Sequence, residues 1–263
     1  MNTLQLDQVL RKYIPEERFD LSIRALMQES IVWNALNDVQ FFEKIESQWP
    51  STTVDITPAS IALFSIDPGI VSLGYPDVNL PASVLEEAML GYEDYRTQPL
   101  PTHTLRETGL LAIALLEKFR QSKDWNRILY EITEGAGNRP ENYLIEHWKP
   151  IFLILSTMLE DPRDFFQALF ESKTRRNAPV LFRHLVLAQA KSTEEQANIV
   201  ITTLFSQPVE MQAAVLKRLY QNDDCELLHK AAKGLFSRHL LHDIIDTSRS
   251  EEHTSELQSR QVI

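Results

Sequence analysis

Apolar residues recur every three to four positions along most of the 263-residue chain, which is the spacing of one face of an α-helix. The clearest example follows the i, i+3, i+4, i+7 rule over Trp125, Ile128, Leu129 and Ile132. No stretch alternates apolar and polar residues for long enough to require a β-strand. The pattern therefore predicts an all-α protein.

Prolines and helix-capping residues divide this pattern into separate segments, because proline is tolerated in a first helical turn and Ser, Thr or Asp side chains cap helix starts. The predicted helices cover 4–14, a segment from Pro15, 31–48, a short helix from Thr57-Pro58, 81–95, 104–122, 125–135, a segment from Pro140 that Pro150 kinks or splits, 162–173, 178–190, 193–206, 208–221 and 224–237. Most connections have two to six residues, so successive helices are expected to lie antiparallel.

Charge and proline content suggest two domains. Residues 1–97 are predicted to form an acidic N-terminal helical region, with a Pro/Gly-rich loop at 50–80. The segment QPLPTHT at 98–104 reads as a linker, and 104–246 reads as an array of helices. Residues 1–100 carry six Lys/Arg against fifteen Asp/Glu, so most of the net charge of −11 belongs to the first region.

Helical hairpins that follow one another without pause are typical of α-solenoids, in which each hairpin covers an apolar side of the next. Two predicted helix starts, near 178 and 208, are thirty positions apart. In this general sense 104–246 resembles the tetratricopeptide and HEAT-like repeat families, although the tetratricopeptide pattern of Trp, Gly, Tyr, Ala and Pro is absent. The resemblance implies stacked hairpins with a concave surface for a partner. An irregular helical bundle is the alternative.

The last fifteen residues resemble something other than a protein family. From Arg249 to Ser259 the chain reads RSEEHTSELQS, which is the codon-by-codon translation of a common sequencing-library adapter. We therefore interpret 249–263 as an artefactual tail and expect the natural protein to be truncated near Ser248. An exposed apolar strip should then remain on the last helix, formed by Leu240, Leu241, Ile244 and Ile245.

Composition places the chain among globular proteins, with 43% hydrophobic residues. A lone cysteine, Cys225, excludes a disulfide framework and favours a reducing compartment. The longest apolar run, at 151–159, is far shorter than the roughly 20 residues of a membrane-spanning helix. Together with a start unlike a secretory signal, these features predict a cytoplasmic protein without a membrane segment.

Known catalytic motifs are missing. The phosphate-binding pattern GxxxxGK[ST] and the hydrolase pattern GxSxG do not occur, and Gly135-Ala136-Gly137 reads as a helix stop. Cys225 stands among carboxylates, which disfavour a reactive thiolate. We therefore expect no bound cofactor and no catalytic residue.

Metal binding is the enzymatic alternative. Glu226 and His229 have the Glu-x-x-His spacing of di-iron helical bundles, but these bundles need the motif twice. His239, His242 and Asp243 form a second cluster, in which His242-Asp243 resembles the HD dyad of all-helical metal phosphohydrolases. That family also has an upstream His and a downstream Asp, and the flanking sequence RHLLHDIID matches it poorly. The resemblance implies a metal-dependent hydrolase fragment.

The local charge of 163–191 is +4, which suits an acidic peptide partner better than a nucleic acid. The partner-binding candidates in it are Lys173, Arg175, Arg176 and Arg183. The leading hypothesis is therefore a non-enzymatic scaffold that binds a protein or peptide. A further alternative is the helical regulatory portion of a larger signalling protein.

Overall fold

The structure is a computed structural model, which describes residues 3–28, 30–50, 54–72, 80–97, 104–135, 142–171, 178–189 and 192–259. All regular secondary structure in these ranges is helical, so the predicted all-α class is confirmed. Contacts divide the chain into two compact units, Met1–Ser192 and Thr193–Ile263, here called unit 1 and unit 2. The domain boundary suggested by sequence at 98–104 stays a prediction.

Most helices belong to unit 1. They are α1 (Thr3–Leu10), α2 (Phe19–Gln28, preceded by a 3₁₀ turn at Glu16–Arg18), α3 (Ser30–Asn37), α4 (Val39–Gln48), α5 (Pro58–Ile66), α6 (Pro68–Ser72), α7 (Ala82–Thr97), α8 (Leu105–Ser122), α9 (Trp125–Gly135), α10 (Asn142–Met158), α11 (Arg163–Glu171) and α12 (Ala178–Leu187). Unit 2 contains α13 (Thr193–Leu204), α14 (Val209–Gln221) and α15 (Cys225–Ser259).

Several helices begin at the residues that the capping pattern of the sequence predicted. The Thr57 hydroxyl accepts a hydrogen bond from the Ser60 N–H and begins α5, and Thr104 forms a reciprocal capping box with Glu107 at α8. The single helix predicted over 31–48 is wrong, because Asp38 ends α3 and caps α4. Its Oδ1 accepts from the Phe41 N–H at 2.9 Å in an extended backbone conformation.

Three other expectations need correction. The region 50–80, predicted as a loop around one short helix, contains both α5 and α6 among its described residues. Helix α10 continues through Pro150 and is not split there. Helix α15 was expected to end between about 237 and 245, but its backbone stays helical to Ser259.

Helices α5 and α8 form the centre of unit 1. Every residue from Leu110 to Leu116 is buried on α8, and every residue from Pro58 to Phe64 is buried on α5. Apolar residues on all sides require other helices on all sides, and α8 contacts α3, α5, α7, α9 and α10. Helices distant in sequence also contact each other in this unit, such as α5 with α10 and α2 with α12. The packed helices are compatible with a helical-repeat architecture, and the choice between a solenoid and an irregular bundle stays a prediction.

Aromatic rings extend the core from α8 into α9, α10 and α11. The Phe119 and Trp125 rings stack at a centroid distance of 4.3 Å, and Trp125 then meets Phe165 edge-on at 5.0 Å. Phe166 and Phe182 are buried and pack edge-to-face at 5.1 Å. Such rings contribute large buried areas and fix the relative positions of the helices.

Unit 2 consists of α13 and α14 packed on α15. Helix α15 approaches α13 closely at Gly234. A Cβ atom there would overlap the Ile201 Cδ1 atom and lie 2.9 Å from the Ile201 Cγ1 atom. The absence of a side chain at Gly234 is therefore what lets the two helices contact at this point.

Among the described residues, no helix is long and apolar enough to cross a membrane. The cytoplasmic location stays a prediction.

Substituting Gly234→Ala should destabilise unit 2 by about 1 kcal/mol, because overpacking of about 1–3 kcal/mol exceeds the gain of roughly 1 kcal/mol in helix propensity. Adding Ile201→Val removes the clashing Cδ1 atom, so the double variant should lose less stability than the sum of the single variants. Urea denaturation of the four proteins in this cycle measures both effects.

The matched control for this cycle is Gly91→Ala on α7, where no heavy atom lies within 4 Å of an added Cβ. This variant should be more stable than the parent by up to about 1 kcal/mol. Equal changes in the free energy of unfolding for Gly91→Ala and Gly234→Ala would contradict the close approach of α13 and α15.

Candidate functional site

The two histidines of the predicted metal cluster lie on α15 and contact one aromatic ring. The centroids of His239 and His242 lie 4.9 and 6.0 Å from that of Phe205, and His239 Nε2 is 3.1 Å from Gln212 Oε1. The third predicted ligand, Asp243, lies outside the described side chains. Within the described part of the chain, no group of three metal-ligating side chains occurs. The hydrolase alternative stays a prediction.

Within the Glu-x-x-His pair at the start of α15, Glu226 forms an ion pair with a lysine. Glu226 Oε1 lies 3.0 Å from Lys230 Nζ, and Lys230 also contacts Glu194 of α13 at 3.2 Å. These hydrogen bonds raise the pKa of the Lys230 ammonium group. The neighbouring Cys225 is exposed and forms no disulfide.

The structure describes residues 163–171 and 178–189 of the basic segment 163–191. Lys173, Arg175 and Arg176 lie outside the described residues, and Arg183 is half-buried on α12. The first cation of the segment, Arg163, pairs with Asp161. The structure therefore does not test whether the four candidate partner-binding residues form one surface, and this assignment stays a prediction.

Helix α15 carries an exposed apolar surface. Phe236, Leu240 and Leu241 have exposed fractions of 71%, 51% and 58%. The predicted strip is thus confirmed for Leu240 and Leu241, whereas Ile244 and Ile245 lie outside the described side chains. Sequence reasoning missed Phe236, although its position four residues before Leu240 places both on one helix face. We call Phe236, Leu240 and Leu241 the α15 apolar surface.

The helical spacing of α15 explains why this surface is uncovered. Leu227, Ala231 and Leu235 are buried and form the packed side of the helix. Phe236 and Leu240 project from the other side at the 100° rotation per residue of an α-helix. Large contiguous exposed apolar patches mark contact or aggregation sites in folded proteins.

Two exposed cations lie in the same stretch of α15 as the α15 apolar surface. Lys233 lies one turn before Phe236 on the same side of the helix, and Arg238 lies between Phe236 and Leu240 in the sequence. The sequence has no acidic residue between Glu226 and Asp243. This stretch therefore stands out in a chain whose net charge is −11.

A separate cleft lies between the end of α8 and the start of α9. Its volume is about 210 Å³, and it is lined by Lys118, Gln121, Ser122, Arg127, Ile128 and Glu131. The turn between the helices is tight, because Lys123 caps α8 in the left-handed conformation with φ 55°. We call this feature the α8–α9 cleft.

Two cations from different helices share one carboxylate in the α8–α9 cleft. Glu131 Oε2 accepts from Lys118 Nζ at 3.3 Å, and Glu131 Oε1 accepts from Arg127 Nε at 3.3 Å. The lining residues therefore carry one more positive than negative charge. Sequence analysis missed this arrangement, because Lys118 and Glu131 lie on different helices.

Tyr92 of α7 supports Lys118 from the interior. The Lys118 ammonium lies 4.8 Å from the centroid of the Tyr92 ring, a cation–π geometry. Tyr92 is fully buried, and its hydroxyl has no hydrogen-bond partner among the described residues. Burial, with a smaller contribution from the Glu131 charge, raises the pKa of Tyr92, so the phenol stays neutral.

No protein-family model, curated protein or solved structure matches this chain.

Replacing Tyr92 by Phe should stabilise unit 1 by about 1 kcal/mol, because it removes a buried hydroxyl that lacks a partner and keeps the ring beneath Lys118. Thermal and urea denaturation of Tyr92→Phe measure this change. A loss of stability would mean that the phenol hydroxyl forms a hydrogen bond in the folded protein.

Proposed function

We propose that this protein is a non-enzymatic interaction module that binds a protein partner on the α15 apolar surface. One observation carries the proposal: Phe236 and Leu240 are more than half exposed and lie one turn apart on the side of α15 opposite its packed side, and Leu241 is exposed next to Leu240 in sequence. Leaving such side chains in water forgoes roughly 1.5–3 kcal/mol for each one that a partner would bury.

The partner we propose is an acidic amphipathic helix. Its apolar residues would cover Phe236 and Leu240, and its flanking carboxylates would face Lys233 on the same side of α15, with Arg238 adding positive charge nearby. Charge complementarity favours this occupant over a second copy of the chain, whose corresponding surface carries the same basic flanks.

Binding at this surface should be weak and reversible. The described part of the α15 apolar surface has three large side chains, well below the roughly 20–30 residues per side of a stable complex. A transient docking contact is the mode that such a small surface supports.

The test uses the full chain and two fluorescent peptides of about 20 residues, a length at which isolated helices begin to be stable. Both peptides carry the same leucine face, flanked by Glu in one and by Lys in the other. We expect the Glu peptide to bind more tightly in fluorescence anisotropy. The double substitution Phe236→Ser with Leu240→Ser should weaken that binding tenfold or more, about 1.4 kcal/mol or more.

Two further variants sharpen the test. Leu90→Ser on α7 removes an equally exposed apolar side chain, 71% exposed as in Phe236, and should leave peptide binding unchanged. Lys233→Glu with Arg238→Glu should reverse the preference and favour the Lys peptide.

Three results would contradict the proposal. The first is equal binding of both peptides, or binding that survives the serine substitutions. The second is self-association in sedimentation experiments that Phe236→Ser with Leu240→Ser abolishes, which would assign the surface to a second copy. The third is binding to anionic lipid vesicles in place of the Glu peptide, which would assign it to a membrane surface.

A further inference from the structure

We propose that the α8–α9 cleft binds a phosphate group, either as the free ion or on a small phosphomonoester. The site lies in unit 1 and does not depend on the proposed function of α15. Four properties of the cleft support this assignment: its charge, its unused hydrogen-bond donors, the support of Lys118 by Tyr92, and its volume.

The charge balance favours an added anion. Lys118 and Arg127 carry two positive charges, and Glu131 supplies one negative charge to both. Both contacts are 3.3 Å long, which exceeds the 2.7–2.9 Å of a strong charge-assisted hydrogen bond. The Glu131 carboxylate lies between the two cations. Its single negative charge compensates only one of their two positive charges.

Several residues that line the cleft have hydrogen-bond donors without a described partner. Arg127 meets Glu131 through Nε, and its two terminal nitrogens have no described partner, so they can form the paired contacts that guanidinium makes with phosphate. The Ser122 hydroxyl accepts from the Asp124 N–H at 3.3 Å, which leaves its own proton available. Gln121 donates one amide hydrogen to Glu117 and retains a second.

The cleft is held in shape by its supports. The cation–π contact with Tyr92 holds Lys118, whose side chain is only 21% exposed. The stack of Phe119 on Trp125 fixes the two helices on either side of the turn. Little conformational entropy of the Lys118 side chain is therefore lost when it binds a ligand.

The volume sets the size of the ligand. A cleft of about 210 Å³ holds several water molecules, each of which takes roughly 30 Å³ in the liquid. A tetrahedral phosphate fits such a space, and its charge of about −1.5 to −2 near pH 7 exceeds that of a single carboxylate. Phosphate is therefore the oxyanion that best matches two cations and several donors.

The experiment is calorimetric titration of the full chain with inorganic phosphate and, separately, with glycerol 3-phosphate, at constant ionic strength. Arg127→Gln and Lys118→Gln should each weaken binding about tenfold, because each removes one cation. Glu131→Gln should strengthen binding about tenfold, because it removes the competing carboxylate. A gain of affinity on removing a charged residue is not expected if the cluster is only structural.

Arg163→Gln is the matched control, since Arg163 is an exposed, carboxylate-paired arginine of unit 1 outside the cleft. It should leave the titration unchanged. Because the Arg127 side chain is 69% exposed, its substitution should also leave the melting temperature nearly unchanged, which separates loss of binding from unfolding.

Each outcome has a defined meaning. Equal affinity for the two ligands supports recognition of the phosphate group alone, and tighter binding of glycerol 3-phosphate supports a phosphomonoester as the ligand. Absence of binding to both ligands would overturn the proposal. Binding that Arg127→Gln and Lys118→Gln do not weaken would place the anion elsewhere and would also overturn it.

Discussion

Burial of α8 on every side is the constraint on which unit 1 depends. From Leu110 to Leu116 the helix has no exposed side chain, so neighbouring helices must supply apolar cover in all directions. Gly109 lets α5 approach, since a Cβ there would lie 3.1 Å from Ile66 Cδ1 and 3.3 Å from the Ala62 carbonyl oxygen. Helices α3, α7, α9 and α10 complete the cover. Enclosing this one helix therefore places five of the other helices of unit 1 around it.

Both candidate sites lie on helix surfaces that neighbouring helices do not cover. The last turns of α8 emerge from the core and bring Lys118 beside Arg127 and Glu131 at the surface. Helix α15 is covered on one side only, so Phe236 and Leu240 remain in contact with solvent. One site is therefore polar and held by two packed helices, and the other is apolar and lies on a single helix. Different ligands suit them: a small anion for the first and a helical segment for the second.

The sequence predicted most helices because their boundaries are local. Thr57, Thr104 and the residues after Pro81 carry signals that a few neighbouring residues decide. Asp38 was missed as a boundary, since a polar residue at that position also fits the exposed side of one long helix. The cleft was not predictable, because Lys118 meets Glu131 only after α8 and α9 pack. The exposure of Leu240 and Leu241 was predicted, whereas the exposure of Phe236 and a partner for these side chains were not.

Native-state hydrogen exchange tests the central position of α8 most directly, because amides in the most enclosed helix exchange only when the whole unit unfolds. We expect the amides of Leu111–Leu115 to be the slowest in unit 1, with a free energy of exchange equal to that of global unfolding. The amides of α7, a helix with many exposed positions, should exchange through smaller local openings. Exchange at Leu111–Leu115 as fast as in α7 would contradict a fold organised around α8.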